Sequence, residues 1–484
     1  MLDMKSDIII LTCVSENVPS RGIGAYRIAD VIRRMGRSVQ VIDFTDWFSD
    51  EELIKTITSL IGKNTKMIGI SSSFYQEQVT NTDNKNKFIW LEKKIGLPSN
   101  IHTAISILKK QNRQIKFVIG GANSFLYENN LNFDAVFHSY SDTSIIDYIN
   151  HLFDSNNNVS RQNNSRCIIN GAKYHVNVET LEHSWADNDY IFSGESLPIE
   201  ISRGCIFKCK FCNFQLTGKK KLDYIRQTSY LKTEFLENYE KFGTTNYTFT
   251  DDTFNDSTYK LELLHKVISQ LPFKINFTTY LRLDLLEKHR EQLDLLKDMG
   301  LRSAFFGIES FNEKTAKSMG KGMPANKIKD FLLEIKNDHF KDNFSMLCSF
   351  IVGLPYESTS SIEQSFKWIQ DNDINSLWIP LFIRRDAIYK SDIDINYEKY
   401  GYTINKNNNW TNEFTNFFEA TTLANRMLNE TNNTINTWPL FSLASLKLWD
   451  INQMTSMRRK DLDLEFITKK RDQMIEQYKE KLNR

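Results

Sequence analysis

Residues 197–212, LPIEISRGCIFKCKFC, place three cysteines on a short loop directly after an apolar, strand-like run. The thiols of this loop are Cys205, Cys209 and Cys212. The other cysteines of the chain are scattered: Cys13, Cys167 and Cys348. Six cysteines in 484 residues are too few for a disulfide scaffold. Three thiolates on one loop can instead bind three irons of a cubic iron–sulfur cluster and leave the fourth iron open, which favours catalysis.

A degenerate zinc knuckle is the alternative interpretation of the same cysteines. A structural zinc ion needs four closed ligands, and no Cys or His near the loop supplies the fourth. Cys167 and His183 lie upstream, in a different segment. Three cysteines without a fourth protein ligand therefore favour an iron–sulfur cluster with one open iron over a structural zinc site.

Strand-like and helix-like segments alternate from residue 198 onward. The strand-like runs are LPIEISRG, NYTFTDD, KINFTTYL, SAFFGIES, FSMLCSFIVG and NSLWIPLFI. Amphipathic stretches such as SYLKTEFLENYEKFG and TYKLELLHKVISQL lie between them. Such βα units predict a partial or full parallel barrel, with its chemistry at the carboxyl ends of the strands.

The first 150 residues show the same alternation. They begin with DIIILTCV, a continuous apolar run typical of a strand that is buried on both faces. Further strand-like runs are SVQVIDF, KMIGISSSF, QIKFVIGGANS and DAVFHSY. This pattern predicts a doubly wound, Rossmann-like parallel sheet with ligands at the carboxyl ends of its strands, at residues 12–21, 71–74 and 120–124.

The sequence thus predicts an α/β protein with four parts. The predicted boundaries are 1–152 for the Rossmann-like domain, 153–197 for a linker, 198–385 for the barrel and 386–484 for a mainly helical region. The linker begins with the Asn/Ser-rich stretch DSNNNVSRQNNS and includes a small hairpin around INGAKYHVNV. We interpret Lys219–Lys221 as a solvated loop.

Charge and hydropathy exclude several classes of protein. Lys and Arg number 61 against 60 Asp and Glu, which argues against general nucleic-acid binding. No apolar run approaches the ~20 residues of a membrane helix. The apolar start lacks a basic flank and a small-residue cleavage site, so we read it as a first strand and expect a cytoplasmic protein.

The cysteine loop resembles the signature of the radical S-adenosylmethionine (SAM) superfamily. Three later segments are similar to motifs of that family: TFTDDTF (248–254), FFGIES (305–310) and FIVGLPYES (350–358). The resemblance covers residues 198–385. It implies a (βα)6 barrel, a [4Fe-4S] cluster on the three loop cysteines, SAM on the open iron, and reductive cleavage of SAM to a 5′-deoxyadenosyl radical.

The resemblance also implies contacts to the cofactors in the barrel. The candidate residues are Phe211, Asp251, Asp252, Arg282, Glu309 and Gly353. Structural roles are open for several of them. The two aspartates could cap a helix, and Arg282 could pair with Asp284. Glu309 ends an apolar strand, where an unpaired carboxylate is costly, so we expect a polar partner or ligand. Cys348, on an apolar strand, is expected to be a packing residue.

The N-terminal domain resembles the cobalamin-binding domain that precedes the barrel in one large radical SAM class. The matching residues are Gly36, Val39, Val41, Asp43, Gly120 and Gly121. The implied cofactor contacts are Ser71, Gly120 and Gly121. The sequence also departs from that class. It has no Asp-x-His-x-x-Gly motif, so no lower axial histidine can be assigned. Ala122-Asn123 replaces Pro-His, and Ser139-Tyr140-Ser141-Asp142 replaces Gly-Glu-Gly-Glu.

This class implies cobalamin-dependent C-methylation of an unactivated carbon, with cobalamin as the third cofactor. One alternative is a cobalamin-independent oxidative cyclisation, epimerisation or rearrangement with a vestigial N-terminal domain. Another is a non-catalytic metal-binding module. A methylthiotransferase is disfavoured because its first domain carries three further cluster cysteines, whereas only Cys13 is available here. The expected partners are a small-molecule or peptide substrate and an electron donor such as flavodoxin or ferredoxin, without a membrane or nucleic acid.

Overall fold

The computed structural model describes most of the chain. The described residues are 5–14, 20–77, 94–154, 167–171, 177–213, 224–341, 344–385, 387, 389–406, 408–431 and 464–483. Lys219–Lys221 and nearly all of the Asn/Ser-rich stretch of the linker lie outside the described residues.

A parallel sheet with helices on both faces forms the N-terminal domain. In chain order its elements are β1 (Ile8–Leu11), α1 (Ile23–Arg34), β2 (Val39–Ile42), α2 (Asp50–Leu60), β3 (Met67–Ser71), β4 (Gln76–Glu77), β5 (Lys94–Ile95), α3 (Ser99–Gln111), β6 (Lys116–Gly120), β7 (Ala135–His138), α4 (Ser144–Phe153) and β8 (Cys167–Asn170). The sheet order is β2-β1-β3-β6-β7-β8, while β4 and β5 form a separate antiparallel pair. This confirms the predicted Rossmann-like sheet.

Alternation along the strands explains why the sheet is covered on both faces. Ile8 and Ile10 of β1 join one buried apolar cluster, whereas Ile9 and Leu11 join the other. Successive side chains of a strand point to opposite faces, so a continuous apolar run needs cover on both. The run DIIILTCV therefore forms a central strand between β2 and β3.

Strand β8 lies in the segment that the sequence assigns to the linker. It pairs parallel with β7, with Cys167 opposite Ala135. The described part of the expected hairpin thus adds a sixth strand to the N-terminal sheet. Three of its four residues are exposed, so hydrophobic periodicity does not mark this strand.

A second parallel sheet follows the linker. In chain order its elements are β9 (Leu197–Ile199), α5 (Thr228–Phe242), β10 (Asn246–Phe249), α6 (Thr258–Ile268), β11 (Asn276–Leu281), α7 (Leu283–Lys288), α8 (Glu291–Met299), β12 (Leu301–Glu309), α9 (Glu313–Ser318), α10 (Ala325–Glu334), β13 (Ser345–Val352), α11 (Thr359–Asp371) and β14 (Asn375–Pro380). All six strands are parallel and neighbours in sequence pair in space. The six predicted βα units are confirmed.

The remaining elements belong to the C-terminal region: α12 (Asp392–Ile395), β15 (Thr403–Ile404), β16 (Trp410–Thr411), α13 (Phe417–Thr431) and α14 (Leu464–Leu482). Helix α13 packs against β13 and β14 of the barrel. Helix α14 instead returns to the N-terminal domain, where Ile475, Tyr478 and Leu482 are buried in the cluster that contains α2 and α3. Among the described helices, none is long and apolar enough to span a membrane.

One apolar cluster connects the two sheets. It contains residues of β1, α1 and the barrel strands, together with Trp185 of the linker. The ring of Trp185 lies 4.5 Å from that of Tyr26 on α1 and is buried. The N-terminal domain and the barrel therefore share an apolar core. This shared core fixes the position of one sheet relative to the other.

Candidate functional site

The three predicted cluster cysteines lie on the loop after β9. Gly204 precedes the first of them with a φ of +81°, in the left-handed region that favours glycine. Cys209 is buried, whereas Cys205 and Cys212 are partly exposed. The backbone N–H of Lys210 donates to the carbonyl of Met319 at 3.1 Å, which ties this cluster loop to the turn after α9.

Each of two loop sulfurs has a specific polar neighbour. The Sγ of Cys205 lies 3.2 Å from the hydroxyl of Thr253, and the Sγ of Cys209 lies 3.4 Å from Nη1 of Arg282. The N–H of Cys212 donates to the carbonyl of Cys209 at 3.1 Å. Within the described part of the protein, no group of three or more His, Cys, Asp or Glu side chains is arranged to hold a single metal ion.

Arg282 makes the contact to Asp284 that the sequence leaves open and a second one to the cluster loop. Its Nε and Nη2 donate to the carboxylate of Asp284 at 3.0 and 2.6 Å. Its guanidinium also lies 4.0 Å from the ring of Phe207. Burial disfavours the charge, but the hydrogen bonds to Asp284 outweigh this effect and raise the pKa of Arg282.

Asp251 points behind the cluster loop. Its carboxylate accepts the N–H of Ile201 at 3.1 Å and the hydroxyl of Ser202. Nζ of Lys260 lies 3.5 Å from the same carboxylate, and both side chains are fully buried. Burial raises the pKa of Asp251. Asp251 therefore supports the strand that leads into the loop, and the N-cap of the following helix is Ser257.

The second aspartate of this segment, Asp252, is only partly buried. It lies within electrostatic reach of Tyr140 from the N-terminal domain, whose pKa is raised by burial and by this carboxylate. Tyr140 as a whole residue is 36% exposed. Asp252 is therefore close to the loop of the N-terminal domain that contains Tyr140.

Glu309 has the polar partner that its position requires. Nζ of Lys321 lies 3.6 Å from its carboxylate and donates to the carbonyl of Gly307 at 2.9 Å. Glu309 adopts a φ of +71°, an unusual conformation for a residue with a side chain and one that often marks a functional site. Burial raises the pKa of Glu309.

Gly353 and Phe211 have packing roles in the structure. Gly353 has a φ of +96°, and a Cβ there would lie 2.3 Å from the indole of Trp410. Its carbonyl accepts the hydroxyl of Tyr402 at 2.7 Å. The hairpin β15–β16 therefore covers the end of β13. Phe211 is partly buried and packs against the apolar cluster of the barrel.

The N-terminal candidates lie together at the carboxyl ends of β3 and β6, where Ser71 is paired with Gly120. Gly121 has a φ of +100°, and a Cβ there would lie 2.6 Å from the hydroxyl of Ser73. The glycine is thus required by the close approach of the two loops. Residues 71–73 and 120–122 have no side group larger than that of serine. Phe74, which follows, is 54% exposed.

Several polar residues of the site could not be identified from the sequence alone. Lys260, Lys321 and Thr253 belong to helices or loops whose local pattern does not distinguish them from solvated residues. The pairing of Arg203 with Asp142 could not be identified either, because the two residues are 61 positions apart in the sequence. The local signals are that Arg203 and Thr253 lie inside segments that resemble family motifs, and that Lys321 lies in KTAKSMGKG, which follows FFGIES in the same resemblance.

The segment that contains the cysteine loop is similar to known proteins. Residues 199–369 match the Radical SAM superfamily. An uncharacterized methyltransferase of Pyrococcus horikoshii is 27% identical over 187 residues, which make up 38% of this chain. The match spans only 39% of that relative's length.

Two solved structures share the architecture across both domains. The radical SAM methyltransferase TsrM from Kitasatospora setae, with tryptophan substrate and the SAM analog aza-SAM bound, gives a TM-score of 0.59 at 12% identity and covers 82% of this chain and 77% of its own. The cobalamin-dependent SAM radical enzyme OxsB, with aqua-cobalamin and SAM bound, gives 0.52 at 16% identity, covering 82% and 56%. At such identities the likeness shows the fold, a Rossmann-like sheet joined to a radical SAM sheet. The match to the Radical SAM superfamily covers residues 199–369, and that family implies a [4Fe-4S] cluster and SAM as cofactors.

Proposed function

We propose that Cys205, Cys209 and Cys212 hold a [4Fe-4S] cluster and that the protein uses SAM and cobalamin to methylate an unactivated carbon of a small molecule or peptide. The observation that carries this proposal is the placement of three thiols on one loop at the carboxyl end of β9. Parallel barrels have their chemistry at this end of the strands. A one-electron donor such as flavodoxin or ferredoxin would supply the reducing equivalent.

The residues around the loop suit a thiolate-bound cluster. When bound, the cluster and SAM supply a 5′-deoxyadenosyl radical that can remove hydrogen from a carbon too weakly acidic for acid–base catalysis. Arg282 places a positive charge 3.4 Å from the sulfur of Cys209. The hydroxyl of Thr253 lies 3.2 Å from the sulfur of Cys205. Such outer contacts orient the thiolates and stabilise their charge.

Residues at the ends of β10 and β12 suit a bound SAM. Asp252 is partly exposed there, and Glu309 with Lys321 provides both an anion and a cation next to each other. We assign these side chains to the polar groups of SAM. Asp251 acts indirectly, by holding Ser202 and the strand before the loop.

The carboxyl edge of the N-terminal sheet suits a large flat cofactor. The small residues at 71–73 and 120–122 leave room above the strand ends, and the exposed ring of Phe74 offers an apolar contact. Cobalamin, when bound, would supply the methyl group. Ser71, Gly120 and Gly121 are the proposed contacts, without a histidine ligand from the family motif.

The substitution Cys212→Ala tests the cluster assignment. We expect the anaerobically reconstituted variant to lose iron and sulfide and to form no 5′-deoxyadenosine from SAM. Cys167→Ala is the matched control, because Cys167 is exposed on β8 of the other sheet and should leave both unchanged. Formation of 5′-deoxyadenosine by Cys212→Ala at the wild-type rate would contradict the assignment. Zinc in place of iron and sulfide in the wild-type protein would support a non-catalytic module.

Reconstitution with hydroxocobalamin tests the methylation step. We expect a corrinoid absorption spectrum that stays with the protein through gel filtration, and a substrate mass increased by one methyl group. SAM cleavage without any bound corrinoid would instead assign the protein to the cobalamin-independent group.

A further inference from the structure

A buried arginine joins the N-terminal domain to the cluster loop. Nη1 and Nη2 of Arg203 donate to the two oxygens of Asp142 at 2.9 and 3.2 Å. Nε and Nη2 donate to the two oxygens of Glu200 at 2.6 and 3.0 Å. One guanidinium thus bridges a carboxylate from each domain. The planar fork of arginine is suited to two such bidentate pairs.

This ionic clasp, Asp142–Arg203–Glu200, is shielded from solvent. The side chains of Arg203, Asp142 and Glu200 are 6%, 8% and 11% exposed. Burial disfavours the charge of Arg203, but the two carboxylates outweigh it and hold the pKa of Arg203 well above its ordinary value. Burial likewise opposes ionisation of Glu200, yet Arg203 and Arg27 lower its pKa to about 2. The clasp therefore brings opposite charges together in a site that excludes water.

The clasp lies at the start of the cluster loop and at the carboxyl edge of the N-terminal sheet. Arg203 is separated from Cys205 only by Gly204, whose φ of +81° sets the turn into the cluster loop. Asp142 belongs to the loop between β7 and α4, at the carboxyl edge of the N-terminal sheet. The ring of Tyr140, in that same loop, lies 4.3 Å from the guanidinium of Arg203. Tyr140 and Asp142 therefore contact Arg203 at the base of the cluster loop directly.

A buried ion pair is weak support for stability, because desolvation offsets much of the attraction. The pair is, however, strict in its geometry, because each carboxylate must lie in the plane of the Arg203 guanidinium to accept two hydrogen bonds. These features favour a role in setting the position of the loop.

We propose that Asp142 is a positioning residue for the cluster loop, acting through Arg203 on the turn at Gly204 and so on the three thiols. The inference rests on the proposed function, because it concerns the cluster that these thiols would hold. It means that an element of the N-terminal domain controls how the cluster and SAM are held in the barrel.

The pair Arg21–Glu195 offers a matched control. It also joins the N-terminal domain to the segment before the barrel, with an N–O distance of 2.6 Å and both side chains fully buried. Glu195 precedes the amino end of β9, whereas Arg203 follows its carboxyl end. Asp142→Asn and Glu195→Gln each remove one charge from a buried pair, but only the first pair contacts the cluster loop.

The experiment compares the full-length wild-type protein with Asp142→Asn and Glu195→Gln after anaerobic reconstitution. The readouts are iron and sulfide per protein molecule, the EPR spectrum of the reduced cluster with and without SAM, and the affinity for SAM. We expect Asp142→Asn to bind SAM roughly tenfold more weakly and to show an altered SAM-dependent EPR signal, as is typical when a supporting contact of a metal site is lost. Glu195→Gln should match the wild type in both. Should Asp142→Asn fail to fold, Asp142→Glu and Arg203→Lys keep the charges and change only the geometry, and the same spectral changes are expected.

Each outcome has a distinct meaning. Wild-type spectra and SAM affinity in Asp142→Asn, or in both conservative variants, would overturn the proposal. Equal changes in Asp142→Asn and Glu195→Gln would overturn it too, because they would reflect general loosening of the interface. A wild-type protein that assembles no cluster would overturn the proposed function and this inference with it, and it is recognised before any variant is measured.

Discussion

The guanidinium of Arg282 lies 3.4 Å from the sulfur of Cys209. Arg282 precedes helix α7 at the end of β11, and its orientation is held by two hydrogen bonds to Asp284 and by the ring of Phe207. This contact to a loop sulfur is made by a charged group. The contact places a fixed positive charge next to one of the three thiols.

Replacing this charge should change the reduction potential of the cluster. A nearby cation stabilises the reduced cluster, which is the more negative state, so Arg282→Met should lower the potential. We expect a decrease of roughly 60 mV, a tenfold change for a one-electron couple. A redox titration followed by EPR measures it. Arg290→Met is the control, since Arg290 pairs with Glu334 on the surface. An unchanged or raised potential in Arg282→Met would contradict this expectation.

We expect Lys260, which lies behind the cluster loop, to contribute strongly to the free energy of unfolding. Its Nζ lies 2.8 Å from Asp256 and 3.5 Å from Asp251, and these side chains are fully buried. Lys260→Met would leave two buried carboxylates without their cation, at a cost of about 3–5 kcal/mol in the free energy of unfolding. Urea denaturation checks this value. In Lys260→Met/Asp256→Asn the loss should be smaller than the sum of the single losses. A loss below about 1 kcal/mol for Lys260→Met would be typical of an exposed pair and would refute the expectation.

Glu357 should make the stability of the protein depend on pH. Burial raises its pKa from 4.5 to about 7, while the hydroxyl of Ser310, which donates to it at 2.7 Å, acts in the opposite direction. Between pH 4.5 and about pH 7, Glu357 is protonated in the folded protein but ionised in the unfolded protein. The free energy of unfolding therefore falls as the pH rises from 4.5 to 7.

Glu357→Gln should remove this contribution, which amounts to at most about 3 kcal/mol over that interval. Denaturation curves of the wild type and the variant, recorded across the same pH range, give the difference. Glu363→Gln, on the surface next to Arg426, is a control that should keep the wild-type slope. Parallel curves for wild type and Glu357→Gln would show that the carboxyl does not titrate in this range.

The contact between helix α14 and the N-terminal domain should also be measurable. The hydroxyl of Tyr478 accepts the N–H of Asp43 at 2.9 Å and donates to the carbonyl of Val41 at 3.3 Å. Tyr478→Phe leaves that buried N–H without its acceptor, so we expect a loss of about 1–3 kcal/mol. Thermal unfolding and faster hydrogen exchange at Asp43 would report it. Tyr239→Phe, an exposed ring stacked on Phe273, should have little effect, and equal losses in the two variants would argue against the contact.

Local sequence patterns were enough to predict the strands and helices that position the site. The six barrel strands and five of the N-terminal strands follow apolar runs, because burial of one or both faces imposes a period that a short window reveals. The cysteine loop was predictable for a related reason. Its three cysteines lie within eight residues of one another, so their spacing alone suggests the proposed cluster. Strand β8, with its exposed side chains, lacks such a pattern, so the sequence places it in the linker.

Only the tertiary structure decided which distant side chains meet. Asp251 and Asp252 are neighbours in sequence, yet the carboxylate of Asp251 accepts the hydroxyl of Ser202, whereas that of Asp252 acts on Tyr140 of the N-terminal domain. Asp142 reaches Arg203 across 61 residues, and Tyr478 reaches Asp43 across 435. A hydrophobic period reports burial of a segment but contains no information about its partner. The docking of α14 and the ionic clasp at the cluster loop therefore follow from how the two sheets pack against each other.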